Sequence, residues 1–241
     1  LLFLTTFVNV IAAVAKYSDV LRAAIASAGN DHRLGANEAP PAIISVFIGK
    51  ALTHVLNEVA EKVSDTKSNQ LLTEDLKLHI HNQIPDILLD NTDRNRTSPF
   101  AFTGNKFEIR ATGSSANCSS TMVVINTIVA DQFLRFKNDV EALIAKEGEK
   151  REGAIIRVLK NYIIESQNIF CEGDNYSQEW ADEAEKRGLK NVRTTPYALD
   201  FWMVKENVDV FARHGVLSER EMEARYDIFN HNYLLKVQIE G

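Results

Sequence analysis

The chain has 241 residues, 45% hydrophobic and 25% charged, with a net charge of −6. That is a globular composition, long enough for one or two domains, and its acidic balance supplies no overall positive field for nucleic acid. Cys118 and Cys171 have no metal-type spacing and read as free thiols of a reducing compartment, so the expected location is cytoplasmic.

The opening LLFLTTFVNVIAAVAKY begins without methionine, is interrupted by Thr5, Thr6 and Asn9, and ends at Lys16. It is too short and too polar for a membrane span and has no basic segment ahead of it for a signal peptide. A buried core helix is expected over residues 1–26, with Phe3, Phe7, Val10, Ile11, Val14, Val20, Leu21 and Ile25 as its apolar positions. The abrupt start suggests a piece of a longer protein. Residues 27–41, SAGNDHRLGANEAPP, have no helical period and read as a functional loop or an ordered connector. Arg33 and Glu38 are its opposite charges. Residues 43–48 can form a strand, and residues 50–63 a helix with Leu52, Val55, Leu56, Val59 and Val63 on one face. A polar turn region follows, then a short alternating run that ends near Pro85.

The stretch 94–110, RNRTSPFAFTGNKFEIR, gathers Arg94, Arg96, Lys106 and Arg110 around one carboxylate, Glu108. Ser98-Pro99 and Thr103-Gly104 supply turn chemistry. Alternation puts Lys106, Glu108 and Arg110 on one face of a strand and Phe107 and Ile109 on the other. Such a row suits the wall of an anion site, where the cations take phosphate or carboxylate oxygens and the carboxylate takes a metal. A solvated edge strand with surface ion pairs gives the same pattern.

A long amphipathic helix is expected over 119–146, with Met122, Ile125, Ile128, Val129, Phe133, Phe136, Val140, Leu143 and Ile144 as its buried stripe. Helices follow near 150–169, 177–187, 195–214 and 218–238. Ser177 and the Ser218/Glu221 capping box are starts, and Gly188 and Gly215 are stops. A soft boundary falls near 146, at the charged KEGEKREG. His79 and His81 form an H-x-H pair able to bind metal if it lies on a strand. His54, His214 and His231 read as surface or boundary residues, and Trp180 and Trp202 as packing residues.

ASAGNDHRLGANEAPPAI and DRNRTSPFAFTGNKFEIRA together resemble the glutamine synthetase family, in its large type III branch. GANEAPP is similar to the family's glutamate-flap loop, and NRTSPF with NKFEIR to its phosphate and metal strands. EGDNYSQEW, EAEKRGL and SEREMEARYDI resemble the type III tail, so the likeness covers essentially the whole chain. It implies an α+β fold, a mostly helical chain whose few antiparallel strands complete a catalytic half-barrel. Residues 1–146 would then end the catalytic domain and residues 147–241 form a helical C-terminal region.

The resemblance implies ATP-dependent ligation of ammonia to L-glutamate through a γ-glutamyl phosphate, with Mg2+ or Mn2+ on the phosphates. It makes Glu38 the flap residue that closes the site and takes a proton from ammonium. Arg96 becomes a phosphate binder and Lys106 a nucleotide contact. Glu108 becomes a metal ligand, and Arg33 and Arg110 hold the glutamate carboxylate. Type I members carry a second arginine five residues after the first, where this chain has Ala101. The remaining metal ligands and the β-grasp region are absent from these residues, so the chain alone is expected to be inactive. A homo-oligomer, a dodecamer, is implied for the intact protein, with no nucleic acid and no membrane as partners. A γ-glutamyl-amine ligase and a catalytically silent scaffold are the alternative readings.

Overall fold

The computed structural model describes residues 1–36, 39–62, 97–172 and 175–240. The opening apolar run forms two helices rather than one. Helix α1 (Leu2–Lys16) and helix α2 (Ser18–Ala24) meet at Tyr17 with a bend of 76°. Tyr17 is 1% exposed, and its hydroxyl donates to Asp131 Oδ2 at 2.6 Å, which holds the corner in place. Phe7, Ile11, Val14, Val20 and Leu21 are buried as their spacing predicts, whereas Phe3 stays exposed. No single helix among the described residues is long and apolar enough to cross a membrane.

The 27–41 segment is not all loop. It contains a single helical turn, α3 (Ala28–Asp31). The expected strand over 43–48 contracts to β1 (Val46–Phe47), and α4 (Lys50–Lys62) follows, burying Leu52, Leu56 and Val59. Strands β2 (Phe100–Phe102) and β3 (Phe107–Ile109) complete a three-stranded sheet of order β1-β2-β3.

The sheet is mixed, not purely antiparallel. Val46 and Phe47 pair in parallel with Phe100 and Ala101, and β2 and β3 form an antiparallel hairpin. Parallel strands need a long crossover, and the stretch containing α4 lies within it. Val46 is also bridged in parallel to Phe170, with Cys171 N–H donating to the Val46 carbonyl at 3.0 Å.

The C-terminal half is helical: α5 (Ser119–Glu147), α6 (Arg151–Glu165), α7 (Gln178–Lys186), α8 (Thr195–Leu199), α9 (Lys205–Arg213) and α10 (Glu219–Glu240). The stripe on α5 is rotated from the expected one. Val124 and Ile128 are in the core, while Met122 is exposed. Polar residues take part of the inner face because each has a partner there: Asp131 meets Tyr17, and Gln132 donates to Asn9 Oδ1 at 3.3 Å. The helix expected over 195–214 is broken between α8 and α9. The break lets Trp202 bury its ring against Phe211 and Phe229, and the Asn207 amide donates to the Phe201 carbonyl at 2.7 Å. Ser218 and Glu221 form the expected capping box, with backbone-to-side-chain bonds of 2.8 and 3.3 Å. Gly188 and Gly215 end their helices with φ of 78° and 62°.

One hydrophobic core runs from Leu4 to Met222 and takes side chains from both sides of residue 146. Helix α1 packs on α5 and α6, where Leu159, Tyr162 and Ile163 are buried. Each fully buried side chain of this size stabilises by about 1.5–3 kcal/mol. Both cysteines are free, Cys118 exposed and Cys171 buried.

Candidate functional site

Local chemistry builds the β2–β3 hairpin. Thr103 N–H donates to the Lys106 carbonyl at 2.9 Å, Gly104 takes φ 96°, and Arg110 N–H extends the ladder to the Pro99 carbonyl at 2.8 Å. Phe107 fixes the inner face by packing 5.4 Å from Phe7, 5.2 Å from Phe100 and 5.1 Å from Phe102, centroid to centroid. With Phe107 inside, alternation turns Lys106, Glu108 and Arg110 to the other face.

On that face the three side chains form a continuous row. Lys106 Nζ lies 3.1 Å from Glu108 Oε1, and Arg110 Nε donates to Glu108 Oε2 at 3.3 Å. Side-chain exposure falls along the row, from 65% at Lys106 through 36% at Glu108 to 12% at Arg110. The Lys106 hydrogen bond, aided by Arg110, holds the Glu108 carboxyl below the ordinary glutamate range. Glu108 is therefore ionised at neutral pH. Ala101 stands opposite Glu108 on β2, on the same face, and is fully buried. Its methyl group supplies no cation at this point of the face.

Arg33 reaches this strand from the loop. Its Nη1 donates to the Thr112 carbonyl at 2.9 Å and to Asn30 Oδ1 at 3.3 Å. Thr112 lies two residues beyond Arg110, so the Arg33 side chain is fastened to the stretch of backbone that carries Arg110. Among the described residues no acceptor occupies Arg33 Nε or Nη2, which leaves the planar edge suited to bidentate carboxylate binding. The loop that carries Glu38 is closed at its base by Gly35 N–H donating to the Pro40 carbonyl at 3.0 Å. Glu38, Arg94, Arg96, His79 and His81 lie outside the described residues.

The structure also shows residues that the sequence reading passed over. Asp31 accepts from Thr195 N–H at 2.8 Å and from the Thr195 hydroxyl at 2.7 Å, joining the loop to the start of α8. Buried Arg22 lies 3.8 Å from Asp31 and donates from Nε to the Val192 carbonyl at 2.8 Å. Burial lowers the Arg22 pKa, and Asp31 opposes the shift. His214 is a boundary residue, its side chain 18% exposed, and its Nε2 stands 2.9 Å from Asp131 Oδ1. A polar residue three positions after Ile128, on the inner stripe of α5, was the available signal for Asp131. A cleft of about 940 Å³ lies between α4 and α7, lined by Thr53, Asn57, Trp180, Glu183 and Arg187 among others, and among the described residues no candidate site residue lines it.

Comparison with known proteins places the sequence beside one family. Residues 154–241 match the glutamine synthetase C-terminal domain family. The chain is 49% identical over its whole length to a glutamine synthetase of Bacteroides fragilis (strain YCH46), covering 33% of that protein. It is 40% identical over 99% of its length to a glutamine synthetase of Butyrivibrio fibrisolvens, again covering 33%. It is 42% identical over its whole length to a type-3 glutamine synthetase of Dictyostelium discoideum, covering 32%. The chain thus spans about a third of the length of these curated relatives. It belongs to the glutamine synthetase family, as a part of such a protein that aligns from end to end with a type-3 member.

Proposed function

We propose that the full-length protein ligates ammonia to L-glutamate with ATP, through a γ-glutamyl phosphate, and that this chain supplies the strand and loop that hold the acidic substrate and the phosphates. The observation that carries the reading is the single-faced row Lys106–Glu108–Arg110 with Arg33 fastened to its end. Transferring a phosphoryl group to a carboxylate brings several negative oxygens together, and fixed cations lower the cost of that approach. Arg33 and Arg110 hold the substrate carboxylate and Lys106 the nucleotide. In the same reading Arg96 binds phosphate, and Glu38 closes the site and accepts the ammonium proton.

Glu108 fits a hard divalent cation, because it is an ionised, partly exposed oxygen ligand. Among the described residues no group of three His, Cys, Asp or Glu side chains stands ready for a metal. Glu108 therefore provides one ligand of a shell that other residues complete. Bound Mg2+ or Mn2+ supplies charge neutralisation on the transferring group. Both Glu108 oxygens are engaged by cationic arms, Lys106 on one and Arg110 on the other, and a bound cation would compete with them for the carboxylate.

The reading also makes residues 1–146 the end of a catalytic half-barrel and residues 147–241 a helical C-terminal region. The intact protein is a cytoplasmic homo-oligomer, a dodecamer. The test is phosphate release by the full-length protein with ATP, glutamate and either ammonium or small amines. We expect a preference for ammonium and a loss of roughly a hundredfold in turnover for Glu108→Gln. Preference for an amine moves the protein to the γ-glutamyl-amine ligases, and unchanged turnover in Glu108→Gln refutes the metal assignment.

A further inference from the structure

We propose that Asn30 is a positioning residue, which sets Arg33 against the strand carrying Glu108 and Arg110. The inference rests on the substrate role given to Arg33 above. Asn30 is 1% exposed, and its amide touches three separate stretches of chain. Nδ2 donates to the Ile25 carbonyl at 2.7 Å, at the end of α2, and to the Ala111 carbonyl at 2.9 Å, just beyond β3. Oδ1 accepts from Arg33 Nη1 at 3.3 Å.

The consecutive carbonyls of Ala111 and Thr112 are thus taken by Asn30 and Arg33 respectively. Two fastenings on neighbouring peptide groups fix rotation as well as distance, which a single bond cannot do. The same amide also clamps Nη1, so the Nε and Nη2 edge of Arg33 keeps one orientation. Aspartate at this position would turn an acceptor toward two carbonyls, and alanine would leave those carbonyls without their donor. Asn30 touches no substrate in this arrangement and acts through Arg33.

The test is a double-mutant cycle in the full-length protein, with Asn30→Ala, Arg33→Ala and the pair, reading KM for glutamate and for ATP separately. Asn207→Ala is the control, since it removes another buried asparagine amide that donates to a carbonyl, at Phe201. We expect Asn30→Ala to raise KM for glutamate about tenfold while leaving KM for ATP within about twofold. In the Arg33→Ala background it should add little, because coupled residues are not additive. Asn207→Ala should leave both constants in place. Should Asn30→Ala not fold, Asn30→Ser takes its place in the cycle. Unchanged KM for glutamate, equal rises for both substrates, or full additivity with Arg33→Ala overturns the proposal while the ligase reading stands. A wild-type protein without glutamate turnover overturns both.

Discussion

Asp131 accepts from the Tyr17 hydroxyl at 2.6 Å and from Arg213 Nε at 3.0 Å, with His214 Nε2 at 2.9 Å. Burial works to raise its pKa, but Tyr17, His214 and Arg213 outweigh burial and hold the carboxyl below the usual aspartate range. Lys16 and Glu206, paired at 3.7 Å, are further charged side chains at this corner. A depressed folded-state pKa stabilises above the unfolded value of about 3.9 and is lost as pH falls through the folded one. Asp131→Asn should therefore destabilise at neutral pH by about 1–3 kcal/mol. It should also flatten the loss of stability below about pH 4, in denaturant titrations repeated across pH. A variant with the wild-type acid slope would show that Asp131 does not carry this dependence. The site row and this cluster differ in how far a sequence reveals them. Lys106, Glu108 and Arg110 are spaced by two, and strand alternation alone puts them together. Asp131 finds Tyr17 and His214 only through the fold, and no local period announces such a meeting.

Elements were legible where one force decided them. Helix α5 was readable in extent because its apolar repeat is long and Gly148 ends it. Its rotation was not, since Asp131 and Gln132 are inward-facing polar residues whose partners lie on α1 and at the corner after it. The corner at Tyr17 and the break near Trp202 were hidden for a related reason: a buried aromatic ring sets the chain direction there, against a helical pattern that continues through it. Gly148 takes φ 65° with no neighbour within 4 Å of an added Cβ, so backbone strain alone opposes a side chain. Gly148→Ala should cost about 1 kcal/mol, a drop in melting temperature of about 2–4 °C for a chain of this size. Calorimetry checks this, and no change in melting temperature would mean the α5–α6 turn relaxes to another conformation.

At the scale of the molecule, the core does not divide at residue 146. Leu159, Tyr162 and Ile163 of α6 belong to the same cluster as Phe7 and Ile11 of α1. Residues 1–150 alone should therefore lose cooperative unfolding, seen as a broad, sloping circular-dichroism melt. A sharp transition from that fragment would show that the N-terminal part holds a sufficient core of its own. The sheet beneath the site row has a consequence for how the protein is made. Val46 lies between Phe100 and Phe170, so one two-residue strand is complete only when three well-separated stretches have met. Helices form from neighbours in sequence, but this junction must close long loops first, which makes it slow. On the ribosome, β2 and β3 emerge well before the stretch at Phe170 and Cys171 that completes the far side of β1. The closing of β1 between its two neighbours is therefore a late step of folding, completed after translation has passed the β2–β3 hairpin.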